Sequence, residues 1–260
     1  MSHATFRFYA ALNDFLPVNR RQVTFGHPFD GQPSIKDTIE ALGVPHTEVD
    51  AILVNGQAVD FSYLLRDGDR VSVYPPFAHI GIDPGIRVRP DPPPVPRFVL
   101  DVHLGRLASY LRMLGFDTLY RNDYDDPELA EISRDEGRIL LTRDRGLLKR
   151  SMVQHGYSVR QTNPREQLVE VVRHYNLFGA IDPFRRCVNC NGLLAPIAKR
   201  DIGDRLPAET VAYYDEFRIC VSCKQLYWKG THTRRMEELI AYVHSHDPAN
   251  QSAAQSSSSS

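Results

Sequence analysis

Polar and apolar residues alternate with a period of two in Thr5-Phe6-Arg7-Phe8-Tyr9 and Gln22-Val23-Thr24-Phe25, the pattern of strands with one buried face. The pattern then changes. Ser34-Ile35-Lys36-Asp37-Thr38-Ile39-Glu40-Ala41-Leu42-Gly43 spaces its apolar positions for a helix, with serine to cap it and glycine to stop it. Ala51-Ile52-Leu53-Val54 predicts a third strand and Asn55-Gly56 a type I′ hairpin turn. Arg70-Val71-Ser72-Val73-Tyr74, after the turn Asp67-Gly68-Asp69, supplies the last strand.

Beyond residue 97 the two periods interleave. Arg97-Phe98-Val99-Leu100 is a short apolar strand ending in Asp101, and Leu104, Leu107, Ala108, Leu111 and Leu114 form one helical face that stops at Gly115. Phe116 to Tyr120 predicts a second strand, Pro127 opens a helix running to Glu136-Gly137, and Arg138 to Thr142 is a third strand with Asp144 just past it. Leu147-Leu148 marks a short helix and Tyr157 to Arg160 a fourth strand. The last helix opens at Asn163-Pro164-Arg165-Glu166, where asparagine caps, proline fills the first turn and glutamate reaches back.

These orders imply an architecture. Strand, strand, helix, strand, strand over residues 1–77 fits a β-grasp domain. Residues 78–96 are proline-rich and lack an apolar face, so they read as a stiff extended linker. Strands alternating with helices over 97–180 imply an α/β domain with a parallel sheet, whose ligands gather at the carboxyl ends of the strands. A cysteine module follows over 181–243, and the serine-rich tail 244–260 is expected to be disordered.

Composition adds exclusions. With 31 Lys and Arg against 32 Asp and Glu, the net charge is −1, so the chain as a whole is no polycation. No apolar run approaches the roughly 20 residues that span a bilayer, so no membrane association is expected. Met1-Ser2-His3 leads straight into a strand-like run rather than a signal peptide, which predicts a cytoplasmic, reducing setting.

The chain's four cysteines, Cys187, Cys190, Cys220 and Cys223, form two C-x2-C pairs. In a reducing compartment that spacing reads as one tetrahedral zinc site rather than disulfides. Cys190-Asn191-Gly192 has the shape of a knuckle, where a small residue lets backbone amides turn toward the sulfurs. A closed four-thiolate site is structural, so chemistry is sought elsewhere. Asp101 and Asp144 each end a strand in the same alternation and should share one sheet edge, with Asp125 or Asp126 brought beside them by the loop before Pro127. Clustered carboxylates need a cation, and hard oxygen ligands suit Mg²⁺ or Mn²⁺, which can activate water for attack on a phosphodiester. Asp126 or Asp125 could instead cap the helix at Pro127, and Asp144 could be a turn residue. Asp117 and Asp123 read as surface carboxylates, and His103 and His155 as ordinary polar residues. Arg143, Arg145, Lys149 and Arg150 are candidates to hold phosphate oxygens, or else a solvated face.

The run from Phe98-Val99-Leu100-Asp101 through Leu107 to Thr118, Asp126-Pro127-Glu128-Leu129, Arg138 to Leu148 and the two C-x2-C pairs resemble the Mut-seven C-terminal RNase domain. The resemblance implies a PIN-like nuclease fused to a zinc ribbon, with Asp101 and Asp144 on the metal-binding acidic positions and Asp126 on the acidic position before the middle helix. Val54 to Asp60 and Leu65 to Pro76 resemble ubiquitin-like sulfur carriers, but their free Gly-Gly tail is replaced here by Pro75-Pro76-Phe77 and further chain. Carrier chemistry is therefore not expected, and the module should bind a protein partner or position substrate. PIN-like relatives often carry a further acid soon after the Asp144 position, where this chain has Arg145. Three readings follow: a metal-dependent ribonuclease acting on RNA, a noncatalytic RNA-binding adaptor, and a phosphotransferase using Asp101, which His103 two residues on disfavours.

Overall fold

A computed structural model describes residues 1–76, 86–91, 93–228 and 230–250. The first part of the linker and the end of the serine-rich tail lie outside the described residues. The chain divides into two compact units, Met1–His103 with Asp123–Ser158, and Leu104–Asn122 with Val159 onward. This division cuts through the 97–180 segment rather than around it.

In the first unit, β1 (Ser2–Phe8), β2 (Phe25–Phe29), α1 (Ile35–Ala41), β3 (Ala51–Val54), β4 (Gln57–Val59) and β5 (Arg70–Tyr74) build a mixed sheet of order β2-β1-β5-β3-β4. Only β1 and β5 run parallel. Alternate residues Phe6, Phe8, Ile52, Val54, Val71 and Val73 meet Ile35 and Ile39 of the helix in the core. Ser34 caps α1 by accepting from the Asp37 amide at 3.1 Å. Asn55 and Gly56 take φ of 52° and 85°, the pair of left-handed residues that a type I′ hairpin requires. The second strand starts at Phe25, later than its alternation predicts, because Gln22 turns at φ 57° and gives its amide to Asn13 Oδ1 at 2.6 Å.

The same unit holds β6 (Phe98–Leu100), later joined by β8 and β9 below. The second unit supplies α2 (Gly105–Met113) and β7 (Thr118–Leu119). Next in the chain come α3 (Asp126–Glu136), β8 (Ile139–Thr142), α4 (Arg145–Leu148) and β9 (Gly156–Ser158), which belong to the first unit. Strands β6, β8 and β9 pair in parallel, with Leu100 opposite Leu141 and Thr142 opposite Ser158. All of their residues are buried, as expected for a parallel sheet covered on both faces.

The second unit continues with α5 (Pro164–His174), β10 (Leu194–Pro196), α6 (Ala208–Tyr213), β11 (Phe217–Cys220), β12 (Leu226–Trp228) and α7 (Thr231–Ser245). Strands β10, β11 and β12 form a small antiparallel sheet. Asn163 caps α5 through the Arg165 amide at 2.9 Å, but Glu166 does not reach back: its carboxylate accepts from the Tyr242 hydroxyl of α7. Among the described residues, no helix is long and apolar enough to cross a membrane.

Candidate active site and metal centre

Because β6 and β8 are parallel neighbours in register, the residues that follow them leave the sheet at one edge. Asp101, only 6% exposed, accepts from the Thr142 hydroxyl at 2.6 Å and donates its amide to the Leu141 carbonyl at 3.1 Å. The same Thr142 Oγ1 accepts from the Asp144 amide at 2.9 Å, so one buried hydroxyl ties the two strand-end residues together. A buried carboxylate needs such a donor. Thr142 was invisible to spacing arguments; its signal was a lone polar residue closing an apolar strand. Asp144 is exposed, and its Oδ1 also caps α4 through the Gly146 amide at 2.7 Å.

Asp126 has a different environment. Asp125 caps α3, accepting from the Glu128 amide at 2.8 Å, which leaves Asp126 as the first helical residue. The Asp126 carboxylate lies 3.7 Å from Arg150 Nη2. Among the described residues, Asp101, Asp126 and Asp144 do not form a group close enough to share one ion. Of the basic candidates, Arg143 is exposed. Arg145 sits over the Phe15 ring, 4.9 Å from its centroid, with Nη1 3.3 Å from the Phe15 carbonyl, and Lys149 donates to the Glu40 carbonyl.

Those last contacts are part of a docking face. The turn His46–Glu48 is buried, and Glu48 Oε1 accepts from the Ser158 amide at the end of β9 at 2.6 Å. His46 places Nδ1 2.6 Å from Glu40 Oε1 and Nε2 2.9 Å from the Val153 carbonyl. Packing is tight here: a Cβ at Gly156 would come within 2.6 Å of Leu148 and 3.5 Å of Thr47. Residues 86–91 join in, since Arg89 and Arg87 both approach buried Asp50, at 3.0 and 3.6 Å, and Arg89 also donates to the Thr47 carbonyl. Burial, then the Arg89 charge, lowers the pKa of His155. The sequence clue to this face was a run of polar residues, His46-Thr47-Glu48 and Asp50, ahead of an apolar strand.

The four cysteines do converge. Their ligand atoms all lie within 4.8 Å of one another, with Cys187 and Cys223 sulfurs 3.6 Å apart and Cys190 and Cys220 sulfurs 3.4 Å apart. A tetrahedral zinc with Zn–S near 2.3 Å needs sulfurs roughly 3.8 Å apart. Each knuckle closes in the same way: the amide of the residue just before its left-handed turn faces sulfur, Asn191 and Lys224 take φ of 67° and 62°, and the amides of Cys190 and Cys223 approach Cys187 and Cys220 Sγ at 3.5 and 3.4 Å. Gly192 is not the left-handed residue. It is needed because a Cβ there would meet Cys220 Sγ at 2.8 Å. Four thiols this close compete for charge. Burial raises Cys220, but the amides of Cys223 and Ser222 and neighbouring thiols pull it down to about 7, whereas burial and the other thiols push Cys223 up to about 12. A cation relieves that conflict.

The knuckle is bolted to its unit by polar side chains. Arg112, 5% exposed, donates to the carbonyls of Val188 and Asn189 at 3.1 and 2.9 Å and to that of Thr118 at 2.9 Å. Asn191 accepts the Thr118 amide at 2.9 Å and donates to Asp117, whose other oxygen pairs with Arg186 at 2.9 Å. Asp117 is therefore a partly buried structural link, not a surface carboxylate.

Acidic residues at the strand ends of a parallel sheet are what nuclease-type α/β domains present to phosphodiesters. By fold, the chain is of that class, preceded by a ubiquitin-like domain. It belongs to the Mut7-C RNAse domain family, whose model matches residues 96–240, and the Mut7-C ubiquitin model matches residues 1–81. No curated protein matches the chain. Two crystal structures of small archaeal modifier protein 1 from Haloferax volcanii match 30% of this chain and 100% of theirs, at 21% and 19% identity and TM-scores of 0.25.

Proposed function

We propose that the chain is a ribonuclease that hydrolyses RNA phosphodiester bonds with a divalent ion, Mg²⁺ or Mn²⁺, at the edge where Asp101, Thr142 and Asp144 meet. The single observation behind this reading is the Thr142 hydroxyl joining Asp101 to Asp144 at the carboxyl ends of adjacent parallel strands. Mg²⁺ is commonly held by only one or two carboxylates plus water and substrate phosphates, so this pair is a sufficient anchor. When bound, the ion supplies an activated water and charge neutralisation at the phosphate. Asp101 and Asp144 hold it, Thr142 fixes the direction of the Asp101 carboxylate, and exposed Arg143 meets a phosphate oxygen. Asp126 is a further ligand, once released from Arg150. Cys187, Cys190, Cys220 and Cys223 hold a structural zinc, in keeping with a reducing, cytoplasmic setting. The ubiquitin-like domain acts in cis, as a support for the strand β9, and leaves its remaining surface for a protein partner.

The test is cleavage of mixed labelled RNAs by purified protein with Mn²⁺ or without it, beside Asp101→Asn and Asp144→Asn. Equal cleavage by parent and both variants would reject this site. A second reading, a noncatalytic RNA-binding adaptor, is favoured by the Asp126–Arg150 pairing, which draws one acid to a cation of its own. RNA binding by a parent that never cleaves would establish it.

A further inference from the structure

The second unit contains a hollow of about 100 Å³ walled by Met113 of α2, Phe184, Arg186 and Val188 of the first knuckle, Trp228 of β12 and Met236 of α7. Leu194 and Tyr227 also line it, and it opens to solvent, so it is a cleft that a ligand can enter rather than a sealed packing defect. An engineered apolar cavity of roughly 150 Å³ takes up benzene, so this one is on the scale of a single aromatic ring. Its walls are apolar, aromatic and sulfur-bearing. The Trp228 ring packs closely over Gly230, where a Cβ would lie 2.6 Å from its Nε1. Arg186 is fixed by Asp117 and by the Asn191 carbonyl, which presents its planar guanidinium as a wall rather than a mobile charge.

A cation stands beside the hollow. Arg218 is exposed, and among the described residues it is not paired with a carboxylate. Arg218 donates to the carbonyl of Phe184, which anchors it beside the wall of the hollow. Apolar ring-sized space with an exposed guanidinium beside it is the combination that grips single-stranded nucleic acid: bases stack on aromatic faces while cations track the backbone. A purely apolar protein segment would leave Arg218 without use.

We propose that this hollow binds one unpaired RNA base, with preference for the single ring of a pyrimidine, and that Arg218 contacts a flanking phosphate. The proposal rests on the ribonuclease reading for its ligand, and adds a subsite built from residues other than those of the carboxylate edge. A base in a duplex is covered on both faces by its neighbours and cannot enter a hollow of this size, so the subsite selects single strands.

Trp228 is the chain's only tryptophan, which makes its emission a reporter for this site alone. Full-length zinc-loaded protein in the Asp144→Asn background, which suppresses turnover, is titrated with an eight-residue oligouridylate, an oligoadenylate, the uridylate annealed to its complement, and an abasic chain of equal length. Oligouridylate should quench Trp228 and bind at least tenfold more tightly than the abasic chain, with oligoadenylate weaker and the duplex leaving the emission unchanged. Val188→Phe, which fills the hollow and keeps the Val188 carbonyl for Arg112, should remove that tenfold advantage while zinc content stays the same. Arg218→Gln, on the exposed rim, should weaken uridylate and abasic chains alike by a few-fold. If a labelled oligomer binds by anisotropy but the abasic chain binds equally well, or Val188→Phe changes nothing, the base subsite is wrong and the ribonuclease reading stands. If no RNA binds the parent protein at all, both fall together.

Discussion

The two sets of metal-ligand candidates in this protein behave differently. Four sulfurs from two knuckles lie within 4.8 Å of one another, whereas Asp101, Asp126 and Asp144 have separate partners in Thr142, Arg150 and the Gly146 amide. Each thiol pair is oriented by its own three-residue turn, and one tertiary step, the pairing of Leu194 with Cys220, brings the knuckles together. The carboxylates come from three elements and depend on strand register, helix position and competing cations. A soft closed site can be written in local spacing; an acidic edge is a property of the whole sheet.

The largest effect should come from breaking the sulfur set. Structural zinc contributes about 10–16 kcal/mol of folding free energy in small modules, more than most domains have to spare. Cys187→Ser, or zinc removal by a chelator, should therefore unfold residues 185–228, seen as lost zinc content and early proteolysis there. If the module instead resists protease without metal, the buried links of Arg112 and Asn191 are enough to hold it.

Next in size are the acids. Asp101→Asn and Asp144→Asn should each lower metal-dependent RNA cleavage by about a hundredfold or more with little change in melting temperature, and the double variant should lose scarcely more, since groups acting as a unit are non-additive. Asparagine at 144 can still cap α4. Asp126→Asn separates ligation from ion pairing: Asp125 keeps the helix cap, so any loss of cleavage reports metal binding. Comparing it with Arg150→Ala sharpens the contrast, because freeing Asp126 should raise activity if the acid is a ligand and leave it unchanged if not.

Smaller again is the docking face. Glu48→Ala removes the carboxylate that accepts from the Ser158 amide and should cost about 1–3 kcal/mol in urea unfolding, while Glu48→Gln retains an acceptor and should cost less. Equal losses from both would mean that charge, not the hydrogen bond, matters there.

The smallest effect concerns pH. Because the folded state lowers the pKa of His155 below its ordinary 6.5, the unfolded chain binds a proton that the folded chain refuses. Stability should therefore fall as pH drops below about 6.5, and should flatten only once pH passes the lowered value. His155→Gln should remove that part of the slope between pH 7.5 and 5.5 in thermal melts.

Sequence by itself determined what depends on neighbours along the chain. The Asn55-Gly56 hairpin follows from two residues that tolerate left-handed backbone, the stop at Gly137 from a glycine at φ 59°, and the cysteine centre from spacing within each knuckle. The strand ends at Asp101 and Asp144 were also legible, because a short apolar run that ends in a charge marks where a buried strand meets solvent. Tertiary structure alone decided how those ends are used. Thr142 became the shared partner only when β6 and β8 aligned Leu100 with Leu141. Asp126 and Lys149 were diverted by Arg150 and by the Glu40 carbonyl, groups that no periodicity places beside them. Asp50, Glu48, Arg112 and Asp117 look like surface residues in sequence, since charge ordinarily seeks water. They are buried or half-buried because each meets a donor or acceptor brought from far along the chain, and only the folded backbone makes that pairing less costly than exposure.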